Sequence, residues 1–143
     1  MIVTAVSTSA APATVHELLV DVDAWSLWSP HVAELDAPSR RVTAGWVGRP
    51  RAFFAPMAVA MVVDAVHDDG GYDWHSTLGP WTLSYRNRVS PDPGAGSTIE
   101  FSAVLTGPAG SVIERIVAPL SARGQRRRMQ RLADLAELAE RHR

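Results

Sequence analysis

Cysteine is absent from the 143 residues, and so is lysine; all fourteen basic side chains are arginine. Without cysteine there is no disulfide, no thiolate nucleophile and no cysteine-based zinc site. Without lysine there is no Schiff-base chemistry through a side-chain amine. Long apolar runs are also missing. The longest, about Phe53 to Val63, falls short of the roughly 20 residues that cross a bilayer, so no integral membrane segment is expected. The opening MIVTAVSTSAAPA has no basic leader and no sustained apolar stretch, which argues against an export signal and for a cytoplasmic protein. Neither sign of charge is in excess: the formal net charge is −1, which gives no general attraction to nucleic acid. The five histidines show no HExxH or similar spacing, so neither a metal nor another cofactor is expected.

What is present is an ordinary globular composition, 46% hydrophobic and 20% charged, of a length that suits one domain over residues 1–143. Ile2 to Thr8 alternates apolar and small polar residues, the period of a half-buried strand. Pro12 opens a short helix to about Val20, and Asp23 is placed to cap a second one ending at Trp28. Pro30 releases the chain into an extended segment, Val32 to Ala37, and Arg41 to Val47 reads as the next strand. Further strands follow at Met57–Val66, Tyr72–Leu78, Trp81–Val89 and Thr98–Thr106. Asp68-Asp69-Gly70-Gly71, Gly79-Pro80 and the run from Pro91 to Gly96 separate them, as turns do in an antiparallel meander. From Ser111 to about Glu140 the period becomes helical, with Ile113, Ile116, Val117 and Leu120 on one stripe and Pro119 inside the pattern.

The block AP-x-x-VHELLVDVDAWSLWSPHV carries the most information: a proline-initiated helix, an acidic break, then Trp25 and Trp28 ahead of Ser29-Pro30. With VVDAVHDDGGYDWHS and a terminal helix that follows Gly107-Pro108, the chain resembles the polyketide cyclase/dehydrase branch of the START-like (SRPBCC) superfamily over nearly its whole length. The resemblance implies an α+β helix-grip fold of the START/Bet v 1-like kind. In it a seven-stranded antiparallel sheet wraps a long C-terminal helix, with two short helices after the first strand. It also implies a cavity between sheet and helix that takes a hydrophobic small molecule, whether lipid, polyketide-like or isoprenoid.

Period two assigns the strand faces. Arg86 and Arg88 belong in water, so Trp81, Leu83, Tyr85, Asn87 and Val89 point inward; Ile99, Phe101, Ala103 and Leu105 do so on the last strand. Tyr72, Trp74, Ser76 and Leu78 form the inner face of one neighbour, and Met57, Val59, Met61 and Val63 that of the next. The expected ligand-binding residues are therefore Met61, Trp74, Trp81, Tyr85, Asn87 and Phe101 from the sheet. Ile116 and Leu120 are added from the helix, and Gly124 where a missing side chain widens the space. Trp28 joins them by matching the family's tryptophan before Ser/Thr-Pro, as a ligand contact or as a plug at one end of the barrel. From pattern alone such a lining reads as core filling; the resemblance reverses that and favours a pocket.

Other clusters carry less. His67, Asp68, Asp69, Asp73 and His75 gather around one hairpin, where acids suit turn geometry, and His31 falls near the expected pocket mouth as a rim residue. Glu100, Asp64, Ser84 and Ser102 face outward by period, which gives no carboxylate pair or activated serine. Arg123, Arg126, Arg127, Arg128 and Arg131 read as a solvated helix face balanced by Asp134, Glu137 and Glu140. Tyr85 is the one inward titratable side chain this reading names. Two other functions compete with ligand binding: an aromatase/cyclase that closes a poly-β-keto chain, and a non-catalytic interaction domain. The chain is expected as a monomer or homodimer.

Overall fold

Each hairpin is set by its turn. In the computed structural model, which describes residues 1–29, 32–36, 39–52 and 59–142, strand β1 (Ile2–Thr8) leads into helix α1 (Pro12–Val20). A 3-10 turn (Val22–Ala24) and the four-residue helix α2 (Trp25–Trp28) follow. Then come β2 (Val32–Asp36), β3 (Val47–Ala52), β4 (Met61–His67), β5 (Gly71–Leu78), β6 (Trp81–Pro91) and β7 (Ser97–Thr106). Helix α3 (Gly110–Arg141) ends the chain. Pairing is antiparallel throughout, in the order β1-β7-β6-β5-β4-β3-β2. The expected seven-stranded sheet is corrected in one respect: six strands, β1 to β3 in that order, share one ladder. β2 is appended through β3 across a register shift. Among the described residues no helix is long and apolar enough to cross a membrane.

The strand expected at Arg41–Val47 is also corrected. Arg41 makes only an isolated bridge with Asp21, and Gly45 takes a positive φ of 84° that turns the chain before β3 begins at Val47. Trp46 is carried back into the core by that turn, its indole N–H donating to the Ser39 carbonyl at 2.9 Å. The helix ending at Trp28 is not capped by Asp23 as expected: its N-cap is Ala24, with no side-chain bond, and the 3-10 turn before it is capped by Asp21, whose carboxylate accepts from the Asp23 N–H. Met57 and His31 lie outside the described residues.

The core sits where α1, α2 and the second half of α3 meet the inner sheet face. Val15, Leu19, Trp25 and Trp28 pack there with Val63, Tyr72, Ile99, Phe101, Met129, Leu132 and Ala136. Trp25 donates its indole N–H to the Leu19 carbonyl at 2.8 Å, which ties α2 to the end of α1. Glu137 and Glu140 do not balance the arginine stretch; they accept from Thr8 and Ala11 and hold the β1–α1 corner against α3. At the far corner His16 Nδ1 accepts the Gly71 N–H at 3.0 Å, so the hairpin between β4 and β5 hangs on a neutral imidazole. Burial lowers the His16 pKa below 6.5, with Asp69 and Glu17 opposing it. A depressed folded-state pKa contributes stability above the unfolded value that is lost as pH falls from there through the folded one. His16→Gln keeps an acceptor without the titration. Urea unfolding at about pH 7.5 and about pH 5.5 should show a smaller acid loss for the variant than for the parent.

Helix α3 departs most from expectation. Ile116 and Leu120 are exposed, at 70% and 76%, and Val112 stands beside them at 54%. Leu132 lies twelve residues beyond Leu120, and at 3.6 residues per turn that is a third of a turn out of phase. One helix cannot turn both stripes inward. The sheet and α1 select the later one (Met129, Leu132, Ala133, Ala136), which leaves Ile116 and Leu120 of the earlier stripe in solvent. Leu120→Ser should therefore shift stability by no more than about 0.5 kcal/mol, measured by thermal melt.

Candidate ligand-binding site

Two adjoining cavities lie against the inner face of the sheet. The first, about 190 Å³, is bounded by β1, β6, β7 and the first half of α3 through Thr4, Leu83, Ala103, Leu105, Val117 and Ser121. The second, about 150 Å³, lies under α2 and is bounded by Trp25, Trp28, Met61, Tyr72, Trp74 and Asn87. Tyr85, Phe101 and Gln125 border both and form the partition between them.

Strand register explains the aromatic wall. Trp74 and Tyr85 are cross-strand partners, and their rings stack with centroids 4.4 Å apart and planes 8° from parallel. Tyr72 pairs with Asn87, and Asn87 with Phe101, so these three side chains share the inner face. Trp28 closes the wall from above, its ring 6.4 Å from that of Phe101.

One end of the second cavity is polar. Arg128 projects from α3 with its guanidinium carbon 5.5 Å from the centre of the Trp28 ring. Its Nη1 donates to Gln125 Oε1 at 2.9 Å. Among the described residues its buried Nε has no partner, and neither has the buried indole N–H of Trp28. Burial pushes the Arg128 pKa down, yet a guanidinium stays protonated in proteins. Burial likewise raises the Tyr72 and Tyr85 hydroxyls above the ordinary tyrosine value, Arg128 opposing the shift at both. At neutral pH both are therefore neutral donors, and neither serves as a base.

Of the expected site residues, Trp28, Met61, Trp74, Tyr85, Asn87 and Phe101 converge on these cavities. Four others do not. Ile116 and Leu120 are solvent-facing for the reason of phase given above. Trp81 has the right face but sits at the β5–β6 turn, beyond the end of the cavity, with its indole N–H donating to the Pro108 carbonyl. Leu78, across that turn, is exposed for the same reason. Gly124 borders neither cavity, and a Cβ there would meet open space. Of the two outward arginines, Arg86 is exposed while Arg88 is half-buried and bonds Asp73. Sequence reasoning missed Tyr72 as a cavity residue, and with it Gln125 and Arg128. Counting back from Leu132 in steps of three and four would have found the last two.

The sequence profile of the family described as polyketide cyclase / dehydrase and lipid transport matches residues 2–137. The chain belongs to that family. No curated protein is similar to this polyketide cyclase/dehydrase-type chain by sequence. Solved structures share its fold at low identity. A hypothetical protein of Helicobacter pylori aligns with a TM-score of 0.79 at 12% identity, over 94% of this chain and 86% of that one. A point mutant of norcoclaurine synthase from Thalictrum flavum, in complex with a transition-state analogue, gives 0.75 at 12%, over 97% and 94%. A putative protein of the dynemicin biosynthetic locus gives 0.69 at 19%, over 95% of this chain and 46% of that one.

Proposed function

We propose that the protein binds a hydrophobic small molecule between the sheet and α3. The observation that carries this reading is the pair of adjoining cavities with a lining dominated by aromatic and aliphatic side chains and a few polar groups at one end. Small-molecule sites have that composition. Burying apolar ligand surface contributes about 25 cal/mol per Å², so about 300 Å² supplies several kcal/mol before ordering costs. Family membership supports the same reading, since lipid transport is part of its description.

Catalysis of polyketide cyclisation or dehydration is the second reading that the family allows. It requires an acid or base positioned in the cavity. Among the described lining residues the carboxylate of Glu114 is already engaged by the Leu105 N–H and the Met1 ammonium group. The raised tyrosines stay protonated at neutral pH, so neither is a base. With no free base among the described lining residues, binding is the better supported of the two readings.

Titration with a fluorescent fatty acid, following tryptophan emission, tests the proposal, with native mass spectrometry of the purified protein to detect retained ligand. Saturable binding weakened by Tyr85→Ala and indifferent to Leu120→Trp is expected. Absence of saturable binding to any apolar probe would overturn it.

A further inference from the structure

Arg128 is a cation without a counter-ion among the described residues, with its guanidinium set into the wall of an aromatic cavity. Its neighbours there are two tyrosines, a carboxamide and an indole face, and the described residues place no carboxylate within ion-pair distance. Desolvation of a charge is costly unless the charge is paired, and a cation–π contact offsets only part of it. A leucine or methionine would fill the same volume of a core without that cost. Arg128 Nε and Trp28 Nε1 are buried N–H donors with no acceptor, and they belong to two side chains that border the same cavity. What these two donors lack is an acceptor, and the strongest acceptor for a guanidinium is an anionic oxygen pair.

The geometry of the fork narrows the choice. Nη1 is taken by Gln125, which leaves the edge formed by Nε and Nη2. That edge presents two parallel N–H bonds to a planar carboxylate. We propose that Arg128, with Trp28 and Gln125, recognises the carboxylate of an otherwise apolar ligand whose body lies against Trp74, Tyr85 and Phe101. This rests on the ligand-binding reading above and deepens it: the occupant is a monocarboxylate amphiphile, not a neutral hydrocarbon-like molecule. Gln125 acts as a positioning residue, since its Oε1 holds the guanidinium by Nη1. The net charge of −1 means that this preference is local, not a property of the whole surface.

The test uses two probes that differ in the acid alone, 2-naphthoate and 2-naphthalenemethanol, titrated by isothermal calorimetry near neutral pH. The parent protein should bind the carboxylate at least about tenfold more tightly than the alcohol. Arg128→Met should abolish that preference by weakening the acid far more than the alcohol, and Arg128→Lys should restore part of it. Trp28→Phe keeps an aromatic ring under Arg128 and removes the orphan N–H along with part of the indole, a loss of packing that acid and alcohol share; it should lower the acid-to-alcohol ratio about two- to fivefold. It also keeps the test decisive should Arg128→Met fail to fold. Equal affinity for acid and alcohol in the parent, or a preference that survives Arg128→Met, would overturn the carboxylate assignment and leave the cavity reading standing. Binding of neither probe would overturn both.

Discussion

Trp28→Ala is expected to cost about 3–5 kcal/mol, the range for emptying a buried tryptophan site. Trp28 is 2% exposed and is the last residue of a helix only four residues long, so its packing must hold α2 where local helix propensity cannot. Its ring touches both Phe101 of β7 and Arg128 of α3, so truncation opens a hole where helix, sheet and cavity meet. A fall in melting temperature of roughly 10 °C should follow for a domain of this size. Trp28→Phe retains most of the buried ring and should melt much closer to the parent. An alanine variant that melts with the parent would mean that Trp28 contributes little to the fold, against its burial.

Gly71→Ala is the second large effect. Gly71 has a φ of 87°, and a Cβ on it would collide with the backbone carbonyl of Asn87 on the paired strand. The left-handed conformation alone costs an ordinary residue about 1–2 kcal/mol. The collision adds to it, because backbone on both sides is held by the β5–β6 ladder and by the bond to His16. A total loss of about 3 kcal/mol or more is expected from urea unfolding. Gly79→Ala is the control: its φ of 56° is also positive, but a Cβ there meets nothing within 4 Å. It should lose no more than about 1–2 kcal/mol. Equal losses at the two positions would show that the close approach to Asn87 is not what Gly71 is needed for.

The meander was legible because its turns are spelled out in residue types that few other structures use. Asp-Asp-Gly-Gly, Gly-Pro and the run from Pro91 to Gly96 each end a strand where the structure ends one, to within two residues. Gly45 failed as a signal because one glycine inside an apolar run looks the same whether it sits in a strand or turns the chain before one. Face assignment by period two succeeded for Trp74, Tyr85, Asn87 and Phe101, yet period two gives direction and not depth. Trp81 points the right way at the wrong end of its strand. Arg128 was hidden by its company: in a run with Arg126, Arg127 and Arg131 it reads as surface. Only the phase of the helix, set by Leu132 and Ala136 against the sheet, separates the one arginine that turns inward from those that do not.

The sheet order also dictates a schedule for the chain during its synthesis. Of the described strands β1 is made first, and among them it pairs with β7 alone, with Thr8 opposite Ser97 and Ile2 opposite Ala103. At about 5–20 residues per second, the first strand waits roughly 5–20 s for its neighbour to be made. The helix that packs against β1 comes later still. In the interval the β4–β5–β6 hairpins form locally with low loop-closure cost, whereas the N-terminal strand must stay unpaired without finding a wrong edge. Two threonines and a serine among its seven residues keep that waiting strand only moderately hydrophobic, which suits a segment that must stay unpaired until its neighbour is made.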